Sequence, residues 1–287
     1  MPGLNEYTYG GQELEVTEDM KAAFDRDGFV TIKGLLNPQE LAVVQESLQG
    51  PDSLSSEQFS FGRADGEGKT ARMSLWNHPG SDTTGTLART RKMALTAEKL
   101  LGGEVYHYHS KLMMKEAGTG GKFVWHQDYG YWYGFACLFP DMLTSFVALD
   151  KCDKDNGCLQ VLKGSHRCGR IEHLKVAGQT GADMARVQEL EKVLEKVYVE
   201  LDPGDALFFH CNLLHCSSQN LSDRRRWAIL SCYSRKHNSP YQKIIHALYQ
   251  PLNMVDNDAV VKQGVSRELK GKEVMMQFDG EFRPIVP

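Results

Sequence analysis

The chain has 287 residues, with 33 Lys and Arg against 37 Asp and Glu, for a formal net charge of −4. This balance excludes a nucleic-acid-binding protein that depends on bulk positive charge. Hydrophobic residues at 41% and charged residues at 24% are ordinary for a globular protein with a large core. Seven cysteines without a Cys-x-x-Cys pair favour a reducing compartment, and we expect a cytoplasmic protein with no membrane partner, because neither a signal peptide nor a long apolar run is present.

The first hundred residues predict helices around a single strand. Residues 17–28 begin with an acidic first turn after Thr and end at Gly, which is typical of a short amphipathic helix. Residues 29–33 alternate as a strand, and the Asn-Pro that opens 37–48 predicts a second helix. Residues 51–70, rich in Ser, Gly and charge, predict a mobile loop, and 88–101 predict a third helix.

From residue 105 onward, short β-type runs are separated by Gly, Pro, Asn and Asp. Strands at this spacing, with few helices between them, predict an antiparallel sandwich or barrel. The predicted runs are 105–114, 123–129, 145–150, 158–162, 196–201, 206–216 and 226–234.

These elements predict one domain over residues 1–287, mainly β with flanking helices. Within it, 1–104 would be a helical support with the mobile loop, and 105–235 the β core. An amphipathic helix is expected as an insert near 183–195, where apolar residues recur at helical spacing. Residues 236–287 would form a covering segment.

The predicted strand over 123–129 carries a His-x-Asp pair, His126 and Asp128. Side chains alternate along a strand, so both would point to one side and offer a nitrogen and an oxygen ligand to one point. A third ligand would be His210 or His215, between which the spacing does not choose. Two histidines and one carboxylate leave three open positions on an octahedral metal, which suits Fe(II), whereas zinc is more often tetrahedral.

The predicted strand over 226–234 places Arg226 on the same face as small and apolar residues. A buried guanidinium needs an anionic partner, because an unpaired buried charge is costly. A carboxylate can satisfy it with two parallel hydrogen bonds. The partner would be either an acidic residue of the chain or a bound carboxylate.

Taken together, these motifs resemble the phytanoyl-CoA dioxygenase family of Fe(II)- and 2-oxoglutarate-dependent enzymes. The resemblance implies a double-stranded β-helix core, which is the jelly-roll, cupin-like fold. The motifs that carry it are His126-Gln-Asp128, the segment from Asn156 to the Gly-Ser-His166 turn, Pro203-Gly-Asp205, and Gln219-Asn220 followed by Arg226.

Carried over residue by residue, the resemblance implies that His126, Asp128 and His215 bind iron. It implies that Arg226 holds the C5 carboxylate of 2-oxoglutarate with help from Ser217.

The resemblance also places His166 near the site. A narrower similarity is to bacterial hydroxylases of small zwitterions, ectoine and proline hydroxylases among them. Their Trp-His-x-Asp-x-x-x-Trp segment matches 125–132, which would make Trp132 a wall of the substrate cavity.

Further residues complete the expected site. Lys111 stands where ectoine hydroxylases have an arginine near the co-substrate, and His109 shares its strand face. Tyr129 belongs to an aromatic cluster that would attract a cationic or zwitterionic metabolite. Arg72 is a candidate for binding a substrate carboxylate.

The implied reaction couples decarboxylation of 2-oxoglutarate by O₂, giving succinate and CO₂, to hydroxylation of a small zwitterionic or amino-acid-like metabolite. The retained Asp128 favours hydroxylation over halogenation, because related halogenases carry Gly or Ala there. The cofactor set would be Fe(II), 2-oxoglutarate and O₂, with ascorbate as a candidate reductant, in a monomer or homodimer. The alternatives are desaturation, epoxidation or cyclisation by the same chemistry, a non-catalytic cupin-type binding protein, and a zinc hydrolase.

Overall fold

The computed structural model describes residues 5–11, 14–176, 179–278 and 281–285; both ends of the predicted domain, 1–4 and 286–287, lie outside them. Its strands are β1 (Glu6–Thr8), β2 (Phe29–Lys33), β3 (Phe61–Ala64), β4 (Thr70–Asn77), β5 (Val105–Lys115), β6 (Phe123–His126), β7 (Met142–Ala148), β8 (Leu159–Leu162), β9 (His173–Val176), β10 (Gln179–Ala182), β11 (Lys196–Val199), β12 (Ala206–His210), β13 (His215–Ser217), β14 (Arg226–Arg235), β15 (Glu273–Phe278) and β16 (Glu281–Ile285).

These strands form two sheets and a hairpin. The main sheet has the order β1-β2-β12-β7-β14-β5-β4-β15-β16, with β3 also paired to β4, and the minor sheet has the order β11-β8-β13-β6. Strands β9 and β10 pair with each other. Apart from the parallel pair β1 and β2, the strands pair antiparallel, as their spacing predicts.

Seven α-helices accompany the sheets in the described part of the chain. They are α1 (Glu18–Asp27), α2 (Pro38–Ser47), α3 (Thr83–Arg89), α4 (Arg91–Leu101), α5 (Asp128–Trp132), α6 (Met184–Glu191) and α7 (Ala259–Gln263). The predicted ends of α1 are confirmed: the Thr17 side chain accepts a hydrogen bond from the backbone of Met20, and Gly28 ends the helix with a φ of 86°. None of the described helices has the length and apolar character needed to cross a membrane.

Strand β12 shows how the core is divided between the two faces of the main sheet. Leu207 and Phe209 pack against residues of the minor sheet such as Val161. Ala206 and Phe208 point the other way and pack in the cluster formed with the helices. Burial on both faces explains why this strand is a continuous apolar run.

Several predicted boundaries are wrong, each for a local reason. The helix expected over 88–101 is the pair α3 and α4, because Thr90 between them has extended backbone. The run 206–216 is divided by a turn into β12 and β13. The insert helix near 183–195 is shorter than predicted and ends at Glu191.

The predicted loop over 51–70 contains strand β3, and β4 follows it at once. The two pair with each other and β4 pairs with β5, so both belong to the main sheet. The sequence conceals β3, since this strand has four residues and leaves alternate ones exposed. The main sheet therefore recruits strands from both sides of the predicted core 105–235.

A buried ion pair joins α4 to α2 beneath the main sheet. Lys92 Nζ lies 2.6 and 2.7 Å from the two carboxylate oxygens of Glu40, and it also donates to the carbonyl oxygen of Leu35. Both charged side chains are almost completely buried. Each charge therefore depends on the other for its stabilisation.

We expect K92M to lower the free energy of unfolding by about 3–5 kcal/mol, because it leaves the Glu40 carboxylate buried without its cation. Denaturant unfolding measures the loss. The double variant E40Q/K92M, which removes both charges, should be more stable than K92M alone; an equal or larger loss in the double variant contradicts this account.

Candidate metal centre and active-site cavity

A cavity of about 770 Å³ opens between the two sheets. The minor sheet contributes His126 and His215 to its wall, and the main sheet contributes Lys111 and Arg226. A second cavity, of about 250 Å³, lies elsewhere and is lined by none of these residues. Residues that lie far apart in the sequence thus meet in one space.

Three side chains in this cavity form a compact set of metal-ligating groups. His126 ends β6 and lies directly opposite His215, the first residue of β13, in the antiparallel register. Their ring centroids are 4.1 Å apart. One ligand atom each from His126, His215 and Asp128 all lie within 4.8 Å of one another. The set could hold one metal ion.

Asp128 reaches this point by a different route from the predicted one. The strand expected over 123–129 ends at His126, and Asp128 is the first residue of α5. His126 and Asp128 do lie together as predicted, but the predicted reason, alternation of side chains along one strand, is wrong. It is the turn into α5 that brings the carboxylate beside the two imidazoles.

Backbone carbonyl oxygens fix the tautomer of both histidines. His126 Nδ1 lies 2.7 Å from the carbonyl oxygen of Val124, and His215 Nδ1 lies 2.9 Å from that of Leu213. A carbonyl oxygen only accepts hydrogen bonds, so each Nδ1 carries the proton and each Nε2 keeps its lone pair. Burial lowers the pKa of both imidazoles, which favours the neutral, metal-binding form.

The Asp128 carboxylate is also oriented and charged for ligation. Thr144 Oγ1 donates to its Oδ2 at 2.7 Å, and Lys111 Nζ lies 3.7 Å from its Oδ1. Burial alone would raise the pKa of Asp128, but Lys111 and the Thr144 hydrogen bond hold it below its ordinary value. Two neutral imidazoles and one carboxylate match the donor set of non-haem Fe(II) oxygenases.

The structure decides between the two candidate third histidines. His215 completes the set, whereas His210 ends β12 and packs against Phe24 and His166, with ring centroids 6.2 and 5.3 Å away. Burial lowers the pKa of His210 to about 4. The turn between β12 and β13 places the two histidines in different sheets.

Arg226 is buried on the cavity wall without an acidic partner among the described residues. One Nη donates to the carbonyl oxygen of Gly157 at 2.7 Å, and its Nε has no hydrogen-bond partner. The alternative that Arg226 serves an internal salt bridge is thereby removed. An unpaired guanidinium facing a cavity fits a bound carboxylate.

Ser217 lies in the same cavity, and a second buried cation stands behind it. Lys115 Nζ donates to Ser217 Oγ at 2.8 Å and to the carbonyl oxygen of Ser218. Burial and the neighbouring Arg226 lower the pKa of Lys115 well below its ordinary value. Because Ser217 Oγ accepts from Lys115, its own hydrogen is left to donate elsewhere.

Three of the residues expected to complete the site line the cavity, namely Trp132, His109 and Lys111. Neither ring nitrogen of His109 has a hydrogen-bond partner, and its ring lies 4.4 Å from that of His246. Burial lowers the pKa of His109 well below its usual value and that of His246 to about 3.

Tyr129 and Arg72 were expected at the site but lie elsewhere. The Tyr129 hydroxyl donates to the carbonyl oxygen of Cys137, and its ring packs in the buried cluster behind the cavity-wall residue Trp132. Alternation along β4 turns Met73 toward the cavity, so Arg72 points to the opposite side, where it donates to Ser60.

His166 does not reach the cavity either. Its Nε2 lies 3.0 Å from the carbonyl oxygen of Asp25, and its ring lies so close to Gly28 that a Cβ there would meet it at 2.5 Å. The His166 side chain therefore contacts the end of α1, whereas Ser165 of the same turn accepts a hydrogen bond at 2.9 Å from the backbone of Leu214, next to His215.

Four residues that line the cavity or hydrogen-bond to its wall were not predicted from the sequence: Arg63, Lys115, Thr144 and His246. Lys115 could have been found, because it continues the His109–Lys111 face of β5 by two more alternations. Arg63 gave no signal, since its strand was read as a loop. Thr144 and His246 come from segments without a recognisable motif.

With this geometry established, comparison with known proteins identifies the family. Residues 24–228 match the family model of phytanoyl-CoA dioxygenase. This match spans well over half of the chain, so the protein belongs to the phytanoyl-CoA dioxygenase family. It is a 2-oxoglutarate-dependent non-haem iron dioxygenase.

Two curated relatives illustrate the similarity. An L-proline trans-4-hydroxylase from Streptomyces griseoviridis is 29% identical over 241 residues, which cover 77% of this chain and 88% of that protein. An ectoine dioxygenase from Sphingopyxis alaskensis is 30% identical over 231 residues, covering 73% of each chain.

Solved structures confirm the fold. EctD from S. alaskensis in its apoform superposes with a TM-score of 0.70 at 23% identity, covering 88% of this chain and 91% of that one. The same protein with bound Fe gives 0.66 at 25% identity, covering 88% of each chain. The predicted jelly-roll, cupin-like core is thereby confirmed.

We expect the metal-free protein to lose stability as the pH falls from 7 to 5. Six buried or half-buried histidines have pKa values lowered by burial: His107, His109, His126, His210, His215 and His246. Below about 6.5 the unfolded chain binds protons that the folded protein does not, so each histidine costs up to about 1.4 kcal/mol per pH unit. Denaturant unfolding across this range measures the slope. H246Q should reduce it, and H237Q, which alters an exposed histidine, should not; equal slopes in both variants contradict the assignment.

Proposed function

We propose that this protein hydroxylates an unactivated C–H bond of a small amino-acid-like or zwitterionic metabolite, with 2-oxoglutarate and O₂ as co-substrates. In this proposal His126, Asp128 and His215 hold the iron. Arg226 and Ser217 hold the C5 carboxylate of 2-oxoglutarate. The relatives that hydroxylate L-proline and act on ectoine support this substrate class.

The observation that carries the proposal is the pairing of a three-ligand metal set with an unpaired buried guanidinium in one cavity. The ligands leave one side of an octahedral metal open. The guanidinium meets the charge requirement of one carboxylate of 2-oxoglutarate, whose other end would be held at the metal position. A binding protein without turnover, or a zinc hydrolase, gives no reason to keep Arg226 unpaired.

Each residue has a defined physical task. The carbonyl oxygens of Val124 and Leu213 hold the two imidazoles with Nε2 facing the metal position. Lys111 and Thr144 keep Asp128 ionised. Bound there, iron and 2-oxoglutarate would supply the oxidising power for O₂-dependent hydroxylation, with succinate and CO₂ as the other products.

Hydrogen bonds from neighbouring residues orient Arg226 and Ser217 for binding 2-oxoglutarate. Gly157 uses its carbonyl oxygen to hold one Nη of Arg226, and no acidic group of the described chain occupies the rest of the guanidinium, which is left for the ligand. Lys115 occupies the acceptor site of Ser217, so the Ser217 hydroxyl donates to the carboxylate. The positions of both donors are thus fixed before the ligand arrives.

We also propose that the chain forms one domain, works in the cytoplasm as a monomer or homodimer, and uses ascorbate as a reductant. Free thiols at all seven cysteines support the compartment. A main sheet that takes strands from both ends of the chain supports the single domain.

Anaerobic addition of Fe(II) and 2-oxoglutarate should produce the weak visible absorption band of a keto-acid chelate, and admission of O₂ should release succinate. H126A, which removes one ligand, should abolish both. Absence of the band and of succinate in metal-loaded protein contradicts the proposal. Turnover with zinc and without O₂ would favour a hydrolase instead.

We expect R226A to weaken 2-oxoglutarate binding by at least about 30-fold, or about 2 kcal/mol, because a buried charged contact to the C5 carboxylate is lost. Anaerobic titration of the visible band measures the dissociation constant. R225A is the matched control, since Arg225 pairs with Asp150 at the surface. A comparable loss in both variants, or equal weakening of substrate binding in R226A, contradicts the role of Arg226.

A further inference from the structure

The distribution of charge on the cavity wall is strongly one-sided. Arg63, Lys111, Lys175 and Arg226 all line it. Among the described residues of the wall, Asp128 is the one carboxylate, and it belongs to the metal set. The cavity therefore offers a substrate several positive charges and no acidic group of its own beyond the metal ligand.

Arg63 is the cation whose role the proposed function leaves unexplained. It is half-buried on β3 and makes no ion pair within the described ranges. Its one hydrogen bond in the structure is a long one, with Nη 3.4 Å from the hydroxyl oxygen of Tyr131. A guanidinium with five donors and one weak acceptor has capacity for a further anion.

Arg63 and Lys111 act on the same part of the cavity. Both line it, with Arg63 Nη 3.4 Å from the Tyr131 hydroxyl oxygen and Lys111 Nζ 3.7 Å from Asp128 Oδ1. The like charges of Arg63 and Lys111 repel each other. Tyr131 lies beside the metal ligand His126, with ring centroids 5.8 Å apart. An anion held between the two cations would relieve the repulsion and lie next to the metal position.

Three rings of the aromatic cluster that follows Asp128 already have cations of this chain. The Arg63 guanidinium lies 5.9 Å from the Tyr131 ring centre, and the Lys111 Nζ lies 5.9 Å from that of Trp132. Tyr133, outside the cavity, carries Arg170 at 4.5 Å. These three rings therefore stabilise cations of the protein itself and are not free to bind a substrate ammonium group.

We propose that the substrate is recognised through a carboxylate bound between Arg63 and Lys111, and that its nitrogen, where it has one, makes no charged contact with the protein. This inference rests on the proposed function and specifies its substrate class. Arg63 is then a specificity-determining residue. The site is therefore expected to bind free carboxylic acids more tightly than the corresponding amides or simple amines. Whether the amine of the acid is absent, acylated or free should matter little.

The test uses protein loaded with Zn(II) and saturated with 2-oxoglutarate, so that binding is measured without turnover. The probes are the common L-amino acids, each with its carboxamide and its N-acetyl derivative, tested by thermal shift and calorimetry. We expect binding by at least one free acid, at least tenfold weaker binding by its amide, and binding within threefold by its N-acetyl derivative.

Three variants distinguish a specific role of Arg63 in binding the substrate carboxylate from a general effect of removing a positive charge. R63Q should abolish the preference for acid over amide, R63K should restore part of it, and 2-oxoglutarate affinity should change by less than twofold in both. R170Q is the matched control, because Arg170 also lies over a tyrosine ring but outside the cavity. It should behave as the wild type.

The inference is overturned if no carboxylate in the panel binds, if amides bind as well as acids, if N-acetylation abolishes binding, or if R63Q keeps the preference. Failure of the proposed function is a separate result: Fe(II)-loaded protein would then release no succinate from 2-oxoglutarate. The binding measurements in zinc-loaded protein do not depend on that release, so the two failures are distinguishable.

Discussion

The antiparallel pairing of β13 with β6 is the constraint on which the site depends. It sets His215 opposite His126 and thereby fixes two of the three metal-ligating side chains relative to each other. The same backbone segments supply the carbonyl oxygens that hold both Nδ1 atoms. Asp128 then needs only the short turn into α5 to reach them. Because one register produces all of this, a slip of one residue would turn either imidazole to the other side of the sheet.

A second constraint is electrostatic, and it links the metal set to the rest of the cavity. Buried cations are stable only with compensating charge or strong hydrogen bonds. Lys111 finds that compensation in Asp128, whereas Arg226 and Arg63 find no acidic residue in the described structure. An anionic co-substrate and an acidic substrate would each supply the missing charge. The positive charge of the cavity is therefore not fully compensated without ligands. The Lys92–Glu40 pair beneath the sheet differs, because its two charges compensate each other.

Features that depend on residues close together in the sequence were predicted correctly, whereas features that depend on tertiary packing were not. The caps of α1, the apolar run of β12 and the spacing of the β core are local features, and these predictions agree with the structure. Strand β3 was not predicted, because its four residues carry a weak local signal and become a strand through pairing with β4. Tyr129, Arg72 and His166 were assigned to the site by motif or composition, yet the direction of each side chain is set by packing that a motif does not describe.

Residue identity and order along the chain were enough to predict the family, the three candidate ligands and the arginine proposed to bind the co-substrate. The structure brings His215, which the resemblance had selected over His210, opposite His126. That Arg226 has no acidic partner in the described chain, and that Arg63 and Lys111 line one cavity, could be learned from the tertiary structure alone. The physical reason is that pairing and charge compensation are properties of distance in space. Residues 63, 111 and 131 are distant in the sequence, and their proximity exists only once the sheets have formed.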